Sequence, residues 1–254
     1  MPTMTARRRL ILITQGPVLA GHEARAHAVA QGMERAVPGL RLGWTVAESR
    51  KMVELPQRDA WLAQATRAGE FPFLCNGDER WPVMVSGSQK PASLSPGGHP
   101  SFEMNAKLPL DAVGLAAVAE LLEAVAEGAC AYWGHASPEG YGSEVSEQMR
   151  HSARGPERSP RGLPMLSLSR HLPSPEIPQY LGWLNYWSAA AARALGFPDP
   201  SRDAELLSRA RRTASGGWVV QLTETPLDYD DPVHLDALLR TYERFPAIGG
   251  RSSP

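Results

Sequence analysis

A chain of 254 residues that is 43% hydrophobic can bury a large core, as one sizeable domain or two small ones. Its formal net charge of −1 leaves no dominant basic stripe, which argues against a nucleic-acid binder, and no apolar run approaches the ~20 residues that span a membrane. Two cysteines, Cys75 and Cys130, suit a reducing cytoplasm at least as well as a secreted chain with one bridge.

Arg7 to Arg9 followed by LILITQGPVLAG has the basic-then-apolar order of a signal peptide. Thr14 to Pro17 interrupt the apolar run after four residues, so a buried strand over Leu10–Ile13 is the simpler reading. From Ala24, apolar residues at Ala26, Val29, Ala30, Met33 and Val37 make one face of a helix that Pro38-Gly39 ends. Leu40, Leu42, Trp44 and Val46 alternate with Arg41, Gly43 and Thr45, as in a half-buried strand. A short helix is expected over Gln57–Arg67, and strands over Phe71–Cys75 and Trp81–Ser86. The Gly-, Ser- and Pro-rich stretch from there to Pro100 reads as a loop. Phe102, Met104, Ala106 and Leu108 then alternate with Glu103, Asn105 and Lys107, the cleanest period-two strand in the chain.

Asp111–Trp133 is the strongest helical pattern. Val118, Leu121, Leu122 and Val125 form its core stripe, and Glu120, Glu123 and Glu127 an acidic one. Residues 137–173 are poor in large apolar groups, which predicts a mobile excursion with a helical piece within Ser143–His151. The aromatic stretch Ser174–Leu195 follows, where Leu181, Leu184 and Trp187 share a helical face. Asp199-Pro200 and Asp231-Pro232 are each a cap followed by proline at the first helical position. They predict helices to about Thr213 and over the Leu235, Leu238, Leu239 and Tyr242 stripe, with a strand Trp218–Thr223 between. The whole predicts a single α+β domain of residues 1–254, with one mostly antiparallel mixed sheet covered by helices.

Chemical motifs are sparse. His22 and His27 stand five apart, not the four that place two zinc ligands on one helix face, so no metal is expected. No nucleophile elbow, P-loop or dinucleotide fingerprint is present, and no cofactor is expected. Cys75 ends an apolar strand, the setting of a core thiol. An alternative makes it a nucleophile with Asp78 and either His99 or His135. Trp183 and Trp187 fit a core stripe or an interface anchor. Asp228, Tyr229, Asp230 and Asp231 form an acidic turn with an aromatic, in which Asp231 also caps the last helix.

The segments LGWLNYWSAAAARALGFPDP and GGWVVQLTETPLDYDDPVHLDALLRTYERFPAIGG, with LPQRDAWLA and FPFLCNGDE upstream, resemble a bacterial domain-of-unknown-function family of myxobacterial type. That likeness covers most of the chain. Its C-terminal half, through GWLNYWS and the late PLD turn, also resembles the immunity protein 52 group of polymorphic and type VI toxin systems. The resemblance implies a cytoplasmic protein that binds a toxin encoded beside it, a restriction-endonuclease-like nuclease in that group, and blocks it without catalysis. It carries over no catalytic residue. Candidate partner-binding residues are therefore Asp228, Tyr229, Asp230 and Asp231 of the late turn, the Glu120, Glu123, Glu127 stripe, and Trp183 and Trp187. Two other classes stand beside this one: the Cys75 enzyme, and a structural partner within a secretion machine.

Overall fold

The computed structural model describes residues 9–20, 24–110, 114–150 and 158–251. Arg7, His22 with Glu23, the expected helix start at Asp111 and His151 lie outside the described residues. Ten strands form one sheet. They are β1 (Arg9–Pro17), β2 (Trp44–Val46), β3 (Met52–Glu54), β4 (Leu74–Cys75), β5 (Met84–Lys90), β6 (Ser101–Pro109), β7 (Trp133–Pro138), β8 (Leu184–Trp187), β9 (Ala210–Arg212) and β10 (Trp218–Gln221). Their order is β3-β2-β4-β5-β6-β1-β7-β8-β10-β9. Every ladder is antiparallel, so the expected α+β class holds and the described sheet contains no parallel pair. The helices are α1 (Arg25–Ala36), α2 (Arg58–Arg67), α3 (Leu115–Gly128), α4 (Tyr141–Gln148), α5 (Ala189–Leu195), α6 (Ala204–Ser208) and α7 (Pro232–Arg244).

Register assigns the two faces of the sheet, because directly paired residues point to the same side. Leu10, Leu12 and Thr14 of β1 pair with Leu108, Ala106 and Met104 of β6. All are buried on the face that α3 covers, with α1 packed against α3. The two helices approach closely: a Cβ on Gly128 would sit 2.9 Å from the Val29 backbone nitrogen. The opposite face carries Ile11 and Ile13 of β1, His135 and Ser137 of β7, and Asn185 and Trp187 of β8. Its roof is α4, α7 and the irregular chain from Arg158 to Gly182, which buries Leu163, Leu166, Leu172 and Ile177.

That roof draws on the stretch whose composition reads as a mobile excursion. Residues 137–173 contain the end of β7, the whole of α4 and a packed segment from Arg158 onward. The composition argument fails because a few leucines, widely spaced, suffice when each meets an existing apolar floor. Backbone bonds from Leu166 to Gln148 at 2.8 Å and from Ser167 to Gly249 at 2.8 Å hold the segment down.

Four element readings also change. The Asp111–Trp133 pattern is a helix only to Gly128. Cys130 adopts a left-handed φ of 51°, and Ala131 N–H bonds Ala126 O at 2.8 Å, so the helix closes with cysteine where glycine is usual. Trp133 then starts β7. The stretch around Trp187 is strand β8, not a helix: all four residues are buried because it pairs on both edges, and burial on both faces erases the alternation. Asp199 caps only a turn, accepting from Ser201 N at 3.0 Å, so the helix that follows is short, and Arg211 and Arg212 belong to edge strand β9. Strand β5 runs on through the supposed loop to Lys90. Its Gly87 is there for room, since a Cβ would meet the Phe102 ring at 2.3 Å.

Candidate functional site

The late acidic turn opens onto a cleft of about 320 Å³ between itself and the start of α4. The turn is built by its own side chains. Asp228 Oδ1 accepts from Asp230 N at 3.0 Å, Asp231 Oδ1 accepts from Val233 N at 2.8 Å as the cap of α7, and Asp228 N donates to His234 Nδ1 at 3.0 Å. From α4 and the turn before it come Glu139, Glu144 and Glu147. Arg161, the one cation on the lining among the described residues, donates to Asp230 Oδ1 at 2.8 Å and Tyr229 O at 2.6 Å, and lies 3.3 Å from Glu144 Oε2. Five lining carboxylates face Arg161, with Arg150 2.8 Å from Glu147 and Arg9 4.0 Å from Glu139 at the edge, so the described residues leave the cleft negative. Asp230 is 84% exposed and Glu139 53%, so the charge faces solvent.

Tyr229 faces inward from this turn. Its ring stacks on Tyr141 at 6.2 Å, its hydroxyl is buried without a partner, and burial raises its pKa. Beneath lies an aromatic group of Tyr141, Tyr180, Tyr242 and His135. The Tyr141 hydroxyl donates to Leu181 O, and Tyr242 OH accepts from Leu181 N at 3.2 Å. His135 is fully buried, 4.9 Å from the Tyr141 ring and 5.0 Å from the Tyr180 ring, and burial pushes its pKa down to about 3. Its Nδ1 lies 3.3 Å from Ser137 Oγ, which accepts from Trp183 N at 3.1 Å. This serine–histidine pair is closed to substrate.

The other candidate residues fall elsewhere. Glu123 forms an ion pair with Arg211 at 2.6 Å, and Glu127 accepts from Tyr186 OH at 3.1 Å and Ser215 Oγ at 2.5 Å. Both tie α3 to the sheet, and only Glu120 stands exposed. The stripe also lies on the face opposite the turn, so one flat interface does not take in both. Trp183 and Trp187 are completely buried. Trp183 Nε1 donates to Thr223 O at 2.9 Å, and Trp187 packs edge-on to Phe197 and Phe245. Neither offers a surface to a partner, which corrects their place among contact residues.

Cys75 sits buried on β4, four ladders from His135 on β7, roughly 19 Å at the usual strand spacing. Asp78 accepts from Arg80 N at 2.7 Å and Trp81 N at 3.1 Å, which makes it a turn residue. His99 is exposed beyond the far end of β5. Cys75, Asp78 and either histidine are not brought together as a site. Among the described residues no three His, Cys, Asp or Glu side chains gather as a metal would require, and no helix is long and apolar enough to cross a membrane.

Sequence reasoning missed Glu139, Glu144, Glu147 and Arg161. The signal was present: three acids within nine residues at the start of a helical pattern, inside a stretch set aside for its composition.

The sequence family described as a domain of unknown function, DUF5953, matches residues 21–253. No curated protein matches the chain. Among solved structures, a T6SS protein of Pseudomonas aeruginosa is similar in fold. It is 16% identical with a TM-score of 0.54, over 95% of this chain and 73% of that one.

Proposed function

The chain belongs to the DUF5953 family, and from that premise we propose that it is an immunity-type protein that binds a cognate bacterial toxin and blocks it without catalysis. The observation that carries this reading is the carboxylate-lined cleft between α4 and the turn at 228–231. A nuclease cleft is lined with cations that normally meet phosphate, so a fixed cluster of carboxylates is a natural substitute ligand. The fold likeness to a T6SS protein supports a place in a toxin-delivering system. The scattering of Cys75, Asp78, His99 and His135 removes the motive for the enzymatic alternative.

The test is genetic and biochemical together. The product of an adjacent gene should be toxic when expressed alone in the cytoplasm, harmless when co-expressed with this chain, and co-purified with it. Absence of any toxic neighbour contradicts the reading. The same fold likeness also favours a structural partner of a secretion machine, which differs in one observable: deletion would impair secretion even in cells lacking the toxin.

A further inference from the structure

Across the wall formed by Glu139, Tyr141 and Ser143 lies a second, larger cleft of about 550 Å³. Its floor is set by ladder register. Lys107 pairs directly with Ile11, and Asn105 with Ile13. Two stripes result: an ammonium and a carboxamide about 7 Å apart on β6, and two isoleucines beside them on β1. Tyr141, Val145 and Met149 with Tyr180 supply apolar walls.

Lys107 is the group that needs an explanation. It is half-buried, and among the described residues neither its ammonium nor the Asn105 amide has a hydrogen-bond or ion-pair partner. At the other end of the same stripe, Glu103 accepts from Gln15 Nε2 at 2.7 Å and pairs with Lys90 at 3.4 Å. The polar side of β6 is therefore satisfied where the chain covers it and open where the cleft begins. The carboxylate on the cleft wall, Glu139, lies 4.0 Å from Arg9, while Arg170 at the rim adds a second positive charge. A lysine with a partly buried stem, whose charge lines a cleft without a counter-ion among the described residues, presents a ready partner for an anionic ligand. The volume is that of a small-molecule site, and its lining is mostly apolar with a few convergent polar groups.

We propose that this cleft binds a small amphipathic monocarboxylate. The carboxylate sits over Lys107 and Asn105, and the hydrocarbon or aromatic body lies on Ile11 and Ile13 against Tyr141 and Tyr180. On the floor, one ammonium with one amide matches a single carboxylate, and Arg170 at the rim offsets Glu139 on the wall; a phosphate would call for a further cation or a cradle of backbone N–H groups. The site does not depend on the toxin-binding reading, since Lys107 and Asn105 line this cleft and not the acidic one.

Titration calorimetry with decanoate, and with decanol as its uncharged counterpart, tests the assignment on the whole chain. The wild type should bind decanoate about tenfold or more tightly than decanol. Lys107→Met should weaken decanoate by about tenfold and leave decanol unchanged, the loss expected for one charged hydrogen bond. Ser146→Trp, an exposed α4 position on the cleft wall, should abolish binding of both while melting like the wild type. No decanoate binding by the wild type up to millimolar concentration overturns the proposal. So does an affinity that neither substitution changes.

Discussion

The two faces of the sheet have floors of the same kind and roofs of different kinds. On one, α1 and α3 lie side by side over Leu10, Leu12, Met104 and Ala106, and their apolar stripes close the layer. On the other, a short helix, the C-terminal helix and an irregular chain are fitted over Ile11, Ile13, His135 and Trp187, and two clefts remain between them. Regular helices tile a sheet because their stripes repeat. Irregular chain covers it only where a leucine happens to fall, and each bend leaves polar groups and space. The plain roof holds the fold, and the broken roof holds the candidate sites.

If the irregular roof is packed as firmly as the helical one, buried side chains on both faces should cost alike. Trp183→Ala removes a fully buried indole and its bond to Thr223 O, an expected loss of about 3–5 kcal/mol in urea denaturation. Leu166→Ala in the roof and Leu121→Ala in α3 should each cost about 2–5 kcal/mol. A Leu166 variant as stable as the wild type would break the comparison, because it would make the roof a loose cover.

His135 sharpens the comparison through pH. Its folded-state pKa is depressed from 6.5 to about 3 by burial. Between those values the unfolded chain binds a proton that the folded chain refuses. The stability contributed is therefore complete above the unfolded value and is lost as pH falls toward the folded one, by about 1.4 kcal/mol per unit. Stability measured from pH 7 to pH 4 should fall less steeply in His135→Asn than in the wild type. Parallel curves would place His135 in contact with water.

The smallest effects belong to the rim. Asp231→Ala removes the cap bond to Val233 N and should cost about 1 kcal/mol. Leu94→Ser, 61% exposed beside the larger cleft, should change stability by less than about 0.5 kcal/mol. A larger loss at Leu94 would mean that the cleft is part of the core.

The helical roof was legible in the sequence, and of the broken one only its C-terminal helix α7 was. Period 3.6 in α1 and α3, period two in β6 and the Asp231-Pro232 cap of α7 all speak locally. The path of β7 and β8 was hidden because central strands lose their alternation, and Cys130 concealed the end of α3 by standing where glycine signals a stop. Of the site, the turn at 228–231 was readable as acidic text. Its cleft was not, since Glu139, Glu144 and Arg161 reach it only through long-range packing. Lys107 looked like the ordinary polar side of a strand, and only the register against Ile11 and the gap above it give it meaning.

The central claim is that the acidic cleft meets a cationic partner, and association kinetics test it most directly. The toxin proposed as partner would be bound to the wild type and to an Asp230→Lys, Glu147→Lys double variant by stopped flow at about 50 and 300 mM salt. The account predicts an unchanged melt for the variant, a wild-type rate that falls with salt, and a variant rate about tenfold lower at 50 mM with little salt dependence. Equal rates at both salt concentrations, with both proteins folded, would contradict it.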